Sequence, residues 1–335
     1  MRILVGSHVF HPSVGGIESV SAMLAEAFVK LGHEVQVVTQ TPSGQPDAAP
    51  YAIHRQPGGG ELRSLLGWCE IFWQNNISLK TLGPALLKGT PTVITHQTWL
   101  MRPDGRTGWQ DVLKKLASSR VRNVAISRAI AEALPGEPVI IGNPYRDELF
   151  RRDTSVPKDR DVVFLGRLVS DKGADLLIDA LDGLEQPGGA PVSCTIIGDG
   201  PDRVALEARA KGRDIVFTGA KSGPELVTLL NRHKLLAVPS RWNEPFGIVA
   251  LEGLACGCVP VVSAGGGLPD AVGPCGVTFP NNNAGPLRQQ LCDLLGNAAR
   301  RQALLANAPE HLSRHTAEAV AHQYLAVFES MRAGR

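Results

Sequence analysis

Hydrophobic positions recur along the chain with two different periods. Short runs rich in Val, Ile and Leu alternate with longer stretches in which apolar residues return every three or four positions. Runs of the first kind predict strands buried on both faces, and stretches of the second kind predict amphipathic helices. The predicted strands are RILVG (2–6), EVQVV (34–38), TVIT (92–95), NVAI (123–126), PVII (138–141), VVFLG (162–166), VSCTII (192–197), DIVFTG (214–219), KLLAV (234–238) and VPVVS (259–263).

Helices are predicted between these strands, which is typical of parallel sheets covered on both faces. A polar, Pro-containing stretch around 142–161 separates two such series, so we expect two Rossmann-like α/β domains. The turn-rich stretch 41–61 predicts a surface loop, and a last helix over 316–331 could pack on either domain. The other predicted helices are 17–31, 174–185, 203–211, 224–233 and 246–256.

Composition agrees with an ordinary globular protein of two domains. The 335 residues are 43% hydrophobic and 20% charged, and a domain usually takes about 150 residues. With 34 Lys and Arg against 32 Asp and Glu, the net charge of +2 argues against a nucleic-acid binder. The six cysteines lack metal-ligand spacing and predict buried free thiols.

One segment departs from this charge balance. Residues 102–128 carry seven basic and two acidic residues. Such a segment could bind an anionic membrane surface or a phosphorylated lipid acceptor, and a solvated basic helix is an equal or better alternative. No uninterrupted apolar run approaches the ~20 residues of a membrane span, and MRILVGSH leads directly into a strand. We therefore expect a cytoplasmic protein, for which contact with the inner membrane face through 102–128 is one of the two alternatives.

Loops that follow strands are the places to search for ligand contacts, because open parallel sheets bind ligands at the carboxyl ends of their strands. In HPSVGGIE (11–18), Gly15 and Gly16 precede a helix whose amino end could attract an anion, or they could simply close a tight turn. In GRLVSDKGAD (166–175), Arg167 and Lys172 could flank two phosphates, or they could be solvated.

A third loop leads into the predicted helix 246–256. Pro245 fits the first turn and Gly257 fits the end, so Glu244 lies just before the helix. Glu252 then lies on the order of 9 Å along the axis, at 1.5 Å per residue. A retaining glycosidase needs carboxyl groups about 5 Å apart, so the two acids do not form a hydrolytic pair.

The same spacing suits the two ends of one elongated ligand. The backbone N–H groups of Phe246, Gly247 and Ile248 lie between the two glutamates and could face a diphosphate.

Five motifs carry a resemblance that runs over essentially the whole chain. The sequence resembles the family 4 retaining glycosyltransferases of the GT-B fold, and EPFGIVALE matches the two-glutamate motif of that family. The motifs are GGIE (15–18), NVAISRAIAEAL (123–134), GRLVSDKGAD (166–175), IIGDGP (196–201) and EPFGIVALE (244–252).

The resemblance implies a fold and an activity. It implies two Rossmann-like domains whose parallel sheets face a central cleft. Residues 1–145 would form the acceptor side, 146–315 would bind the nucleotide-sugar, and 316–335 would pack back on the first domain. The activity implied is transfer of a hexosyl-type sugar, with retention, from a nucleotide-diphosphate sugar to a hydroxyl acceptor. That acceptor would be a saccharide, a glycolipid or a small metabolite, in polysaccharide or glycolipid biosynthesis.

Residue roles follow from the same resemblance. Arg167 and Lys172 would hold the donor diphosphate and stabilise it as it leaves. Glu244 would hold sugar hydroxyls, and Glu252 would accept hydrogen bonds from the ribose hydroxyls. His96, after the strand TVIT, matches the active-site histidine near the sugar.

Backbone groups complete the implied site. N–H groups at Gly15 and Gly16, and those of Phe246, Gly247 and Ile248, would contact the phosphates. No cofactor or metal is expected beyond the donor itself, which would be linked to UDP or GDP. The only D-x-D, at 159–161, precedes a strand and predicts a solvated turn rather than a metal site.

Two other classes remain as alternatives. A sugar-nucleotide epimerase of the same fold would need catalytic carboxylates in place of the motif at 244–252, which is intact. A non-catalytic sugar-nucleotide binder stays open. An NAD-dependent oxidoreductase should show G-x-G-x-x-G, and VGGIES does not fit that pattern.

Overall fold

The computed structural model describes residues 1–13, 15–100 and 108–333. The chain divides into two compact units. The first contains Met1–Pro144 and His315–Arg335, and the second contains Tyr145–Arg314. Arg102 and Arg106 of the predicted basic segment lie outside the described residues.

The strands belong to two sheets, one in each unit. In chain order they are β1 (Arg2–Ser7), β2 (Glu34–Thr39), β3 (Ala52–Arg55), β4 (Ile71–Asn75), β5 (Thr92–His96), β6 (Arg122–Ala125), β7 (Val139–Ile140), β8 (Arg160–Leu165), β9 (Cys194–Ile197), β10 (Ile215–Gly219), β11 (His233–Val238), β12 (Val259–Ser263) and β13 (Val277–Phe279).

Helices connect the strands, as the apolar periodicity predicts. They are α1 (Gly16–Lys30), α2 (Gly59–Trp68), α3 (Leu79–Lys88), α4 (Trp109–Ser118), α5 (Arg128–Glu132), α6 (Ala174–Ala180), α7 (Arg203–Arg209), α8 (Gly223–Asn231), α9 (Ile248–Ala255), α10 (Leu268–Val272), α11 (Ala284–Gly296), α12 (Ala298–Ala306), α13 (Ala308–Ser313) and α14 (Ala317–Ala333). Short 3₁₀ turns lie at Ser170–Lys172 and Gly273–Cys275.

The sheet of the first unit is parallel, with strand order β3-β2-β1-β4-β5-β6-β7. Its central strands are covered on both faces, and Ile3, Leu4 and Val5 have no exposed surface. This explains why β1 reads as an unbroken apolar run rather than an alternating one. The direction of chain progress reverses between β1 and β4.

The structure corrects the predicted surface loop at 41–61. Within it, Ala52–Arg55 forms β3, an edge strand that pairs in parallel with β2, and α2 begins at Gly59. Because β3 is a short edge strand whose residues are mostly half-buried, its hydrophobic pattern does not distinguish it from a loop. The strands β4 and β13 were also missed.

Helix α14 joins the core of the first unit although it lies at the far end of the chain. The Tyr324 ring packs on Trp73 with ring centroids 5.1 Å apart, and Phe328 packs on Phe28 at 5.7 Å. The Tyr324 hydroxyl lies 2.9 Å from Thr95 Oγ1, so its polar end is satisfied inside the core.

The second unit has a parallel sheet with strand order β10-β9-β8-β11-β12-β13. Its core contains β8, β9, β11 and β12 residues packed against α6 and α11. The order in which strands are added reverses between the parallel neighbours β8 and β11, which makes this pair a topological switch point, the place where open parallel sheets bind ligands.

Five of the six cysteines are buried and free, as predicted for the set, whereas Cys292 is exposed. In the part of the chain that the structure describes, no helix combines the length and the apolar character that crossing a bilayer requires.

Candidate functional site

The loops after β8 and β11 meet at the switch point of the second unit. Gly173 ends the β8 loop with φ +70°, and a Cβ placed on it would lie 2.0 Å from the Pro239 carbonyl oxygen at the end of β11. Only glycine permits both this backbone conformation and this approach. The two loops are therefore locked together by backbone contact.

A salt bridge crosses between the same two loops. The Lys172 ammonium donates to Glu244 Oε1, and both side chains are largely buried, with 22% and 13% exposure. The Ser240 hydroxyl donates to the same carboxylate oxygen at 2.8 Å. The Glu244 backbone pairs with Gly266, and its carbonyl accepts from Gly267 N at 2.6 Å. The structure thus brings Lys172 and Glu244 together and holds the glutamate from both its side chain and its backbone.

Arg167 lies on the same edge of the sheet and differs from Lys172. It is exposed, and among the described residues it pairs with no acidic side chain. Its neighbours are fixed. The Leu168 amide donates to Asp199 O at 2.8 Å, and a Cβ on Gly198 would lie 1.8 Å from Gly166 O. The result is an uncompensated cation on a rigid loop.

The helix after the third loop begins later than predicted. It starts at Ile248, and Gly247 caps it with φ +109°, so Pro245 lies before the helix and not in its first turn. Phe246 is 3% exposed and anchors the turn, and Ala250 N donates to Gly247 O at 3.0 Å. Of the three consecutive N–H groups expected at 246–248, those of Phe246 and Gly247 therefore belong to the turn before α9, and that of Ile248 belongs to the first residue of the helix.

Glu252 lies in the second turn of α9. Burial raises the pKa of its carboxyl to about 7, and the positive charge of Arg146 opposes that rise. A carboxyl group with a pKa near neutrality, on the helix that follows β11, is a candidate functional group.

In the first unit, His96 lies at the carboxyl end of β5 and is 1% exposed. Its Nε2 lies 2.9 Å from Asn123 Oδ1, while Asn123 Nδ2 donates to Ser118 O at 2.8 Å. Because Asn123 donates through its nitrogen, its oxygen accepts, and Nε2 of His96 carries the proton. Burial also lowers the pKa of His96, which favours the neutral ring.

The tautomer leaves one atom of His96 unsatisfied. Nδ1 is buried, carries no proton, and has no hydrogen-bond partner among the described residues. Such an atom costs free energy unless a donor reaches it. Nδ1 of His96 can therefore accept a hydrogen bond from a hydroxyl or N–H group of a ligand.

The predicted anion site at the start of α1 contains an acidic side chain. Gly15 caps the helix in an extended conformation, and a Cβ on it would lie 2.9 Å from Glu18 Oε1. The Glu18 side chain is 7% exposed and lies against the amino end of the helix, where a carboxylate is favourable. Gly16 has open space on its Cβ side. Glu18 stands three residues after the N-cap, the position that the glutamate of a capping box occupies, although the N-cap here is a glycine.

A buried amide network at this edge of the first unit was also missed. Gln97 donates 2.9 Å hydrogen bonds to Asn75 Oδ1 and Asn143 Oδ1, and Asn143 returns one at 2.8 Å. Asn75 in turn donates to Ser21 Oγ at 2.7 Å and to Ile17 O at 3.1 Å. The network ties the loop after His96 to the first turns of α1. Its members come from distant parts of the sequence, so no local motif marks them.

The two acids of the D-x-D at 159–161 differ, because Asp159 is exposed, as a solvated turn predicts, whereas Asp161 is buried in β8. Asp161 is 2% exposed, accepts from Ser193 N and Oγ at 3.0 Å, and pairs with Lys234 at 2.8 Å. Asp159 forms a bidentate pair with Arg232 at 2.7 and 2.9 Å. Both carboxylates stabilise the start of β8, at the opposite edge of the sheet from Arg167 and Lys172.

Comparison with known proteins gives a family-model match within the second unit. Residues 146–311 match the family model described as glycosyl transferases group 1. An uncharacterized glycosyltransferase of Methanocaldococcus jannaschii is 28% identical over 62% of this chain and 57% of its own length. A D-inositol 3-phosphate glycosyltransferase of Jonesia denitrificans is 35% identical over 52% of this chain and 44% of its own length. The chain spans about half the length of these curated relatives.

A solved structure extends the comparison to both units. Anabaena HepE in complex with UDP superposes with a TM-score of 0.82 at 18% identity, covering 98% of this chain and 100% of that one. The two parallel-sheet α/β units are the architecture of GT-B glycosyltransferases. Residues 146–311 thus match the glycosyl transferases group 1 model, and the chain has the GT-B fold.

Proposed function

We propose that the chain transfers a hexosyl-type sugar, with retention of the anomeric configuration, from a nucleotide-diphosphate sugar to a hydroxyl acceptor. One observation carries the proposal. The loops after β8 and β11 hold both the Lys172–Glu244 salt bridge and Arg167, which pairs with no acidic side chain among the described residues. Both loops lie in the segment that matches the group 1 model. Ligands of open parallel sheets bind at topological switch points such as the one between β8 and β11.

Arg167 and Lys172 would serve the departing diphosphate. Breaking the bond between the anomeric carbon and the phosphate oxygen builds negative charge on the diphosphate and positive charge on the sugar. Cations held in place beforehand stabilise that separation. An ammonium has three N–H donors, so Lys172 can keep Glu244 and still bind a phosphate. The second oxygen of Glu244 is then available to a sugar hydroxyl.

The turn before α9 would bind the rest of the nucleotide. Backbone N–H groups at Phe246, Gly247 and Ile248 would contact phosphate oxygens, and Glu252 would accept from the ribose hydroxyls. Hydrogen bonds to a carboxylate favour its ionised form. Because the pKa of Glu252 is about 7, donor affinity should rise as the pH rises through that value.

Within the first unit, His96, Gly15 and Gly16 would be ligand-binding residues. The unsatisfied Nδ1 of His96 accepts from a sugar hydroxyl, and the neutral ring makes it a binding group rather than a proton donor. The backbone at Gly16 is open enough for a phosphate to approach it.

The reaction would need no metal and would proceed on one face of the sugar. The leaving phosphate oxygen accepts the proton of the acceptor hydroxyl as the new bond forms. HepE is described in complexes with UDP and UDP-glucose, which supports a nucleotide-sugar donor linked to UDP or GDP. The named activity of the inositol 3-phosphate relatives supports a hydroxyl acceptor, in saccharide, glycolipid or small-metabolite form.

A thermal-shift screen against UDP-, GDP- and ADP-sugars tests which donor binds. Mass spectrometry then measures turnover of that donor in the presence of EDTA, and NMR identifies the anomer of the product. We expect Arg167→Ala and Lys172→Ala each to weaken donor binding at least about tenfold, the worth of one charge-assisted hydrogen bond. Lys221→Ala is the matched control, since Lys221 pairs with Glu225 on the surface of the same unit.

The outcomes separate the parts of the proposal. Unchanged donor binding in both variants would refute the site, an inverted product would refute retention, and loss of turnover in EDTA would refute metal independence. His96→Leu should weaken binding of the sugar-nucleotide while leaving the free nucleoside diphosphate nearly unaffected. Equal losses for both ligands would exclude the role given to Nδ1.

A further inference from the structure

Helix α4 presents its apolar side to solvent. Trp109, Val112, Leu113 and Leu116 are 70%, 56%, 42% and 51% exposed. Their spacing of three, four and seven positions places them on one face of the helix. A surface helix of a globular unit normally turns that face toward the core.

The polar side of α4 faces the protein instead. Asp111 is 6% exposed and accepts from Gly108 N at 2.9 Å, and Ser118 is fully buried. The Ser118 hydroxyl donates to Lys114 O at 2.8 Å, and its carbonyl accepts from Asn123 at 2.8 Å. Rotating the helix to bury the apolar face would expose Asp111 and Ser118 and break the hydrogen bond from Asn123 to Ser118 O. The outward orientation is therefore built into the local structure.

Cations accompany the apolar face. Lys114 and Lys115 lie on α4, and Arg120 and Arg122 follow within one short turn. None of the four pairs with an acidic side chain among the described residues, and Asp111, the single acidic residue between 108 and 128, is buried. An apolar stripe with unpaired cations on the same helix and in the residues that follow it complements a surface that is apolar inside and anionic at its boundary.

We propose that α4 docks the protein on an anionic lipid membrane. The four apolar side chains of α4 enter the boundary between headgroups and acyl chains, and the lysines and arginines contact lipid phosphates and carboxylates. The helix lies in the plane of the interface and does not cross it. This inference does not rest on the proposed glycosyl transfer, because it concerns a different surface and a different ligand.

Charge argues for a membrane over a protein partner. A second copy of the chain, docked on the same face, would bring the same four cations against this set, which is destabilising. A neutral apolar partner would leave the cations unmatched. An anionic lipid membrane offers an apolar layer to the four apolar side chains of α4 and negative charge to the cations.

Vesicle flotation tests the proposal with the full chain. We expect binding to vesicles of 70% phosphatidylcholine and 30% phosphatidylglycerol, little binding to pure phosphatidylcholine, and weaker binding at high salt. The double variant Trp109→Ser with Leu116→Ser should lower the partition coefficient about tenfold or more, since two inserted side chains are lost. Val204→Ser is the apolar control, because Val204 is 78% exposed on α7 of the other unit.

The electrostatic part has its own pair of variants. Lys115→Glu with Arg120→Glu should abolish the preference for anionic lipid, whereas Lys211→Glu, an exposed lysine of the second unit, should leave it unchanged. The proposal fails if the parent protein does not bind anionic vesicles, or if the Trp109 and Leu116 variant binds as well as Val204→Ser. It also fails if these residues instead control a monomer–dimer equilibrium in analytical ultracentrifugation without vesicles.

Discussion

Glu244 and Glu252 belong to one nine-residue motif, yet the fold gives their carboxyl groups different environments. Glu244 is balanced by the Lys172 ammonium and by the Ser240 hydroxyl. Glu252 is dominated by burial, which raises its pKa to about 7. The motif marked both residues as functional, but only their tertiary surroundings distinguish a paired carboxylate from one that titrates near neutrality.

The Glu252 environment predicts a pH dependence of stability. Because the folded-state pKa of Glu252 lies above the ordinary glutamate value of 4.5, the folded protein binds more protons than the unfolded chain between about pH 4.5 and 7. The free energy of unfolding therefore falls as pH rises through that window. Glu252→Gln removes this loss. The free energy of unfolding of the variant, relative to that of the parent, should therefore rise by up to about 3 kcal/mol between pH 5 and pH 8.

Chemical denaturation of the full chain at several pH values measures this difference. Glu185→Gln, at an exposed position of the same unit, is the control and should show no such trend. A constant difference between Glu252→Gln and the parent from pH 5 to pH 8 would show that the Glu252 carboxyl is not desolvated in the folded state.

At the scale of the elements, strand ends and loop glycines shape the site. Local pattern located the strands β1, β5, β8, β11 and β12 closely, because a strand buried on both faces reads as a continuous apolar run. It did not locate β3, whose partial burial leaves no such run. It also began α9 two residues early, because a proline in the first turn and a proline just before a glycine cap look alike in sequence.

Gly173 and Gly183 offer a matched test of backbone crowding. Both have positive φ, at +70° and +60°, but a Cβ on Gly173 would lie 2.0 Å from Pro239 O whereas one on Gly183 would meet nothing within 4 Å. Gly183→Ala should cost on the order of 1 kcal/mol, from φ alone. Gly173→Ala should cost more than about 2 kcal/mol, since the backbone of two loops must also separate.

Thermal unfolding and donor binding measure the two variants side by side. Gly173→Ala should also weaken donor binding, because Lys172 precedes Gly173 and its salt bridge to Glu244 crosses the same pair of loops. If the two alanine variants are equally stable, the close approach to Pro239 is not a constraint on the fold.

At the scale of the whole molecule, the C-terminal helix completes a unit that begins at the first residue. Phe328 has no exposed surface and packs on Phe28 of α1. Phe328→Ala should cost about 3–5 kcal/mol, the range for an aromatic side chain removed from a core. Hydrogen exchange should then show lost protection in peptides of 1–144 and 315–333, with peptides of 145–314 nearly unchanged.

Val204→Ala, on the surface of the second unit, is the control for that experiment and should change neither set of peptides. Loss of protection confined to 315–333 would mean that α14 is only an appendage of the first unit.

Periodicity along the chain was enough to determine two parallel-sheet α/β series, and the positions of loops after strands were enough to nominate Arg167, Lys172 and Glu244. These properties are local, because the patterns of buried strands and of helix faces depend on residues only a few positions apart in the sequence. The Lys172–Glu244 pair, the bare Nδ1 of His96, the carboxylate of Glu18 and the buried Asp161 were decided by strand order and loop contacts. Those contacts join residues far apart in sequence, and the charge state and hydrogen bonding of a side chain depend on which distant groups the fold places beside it.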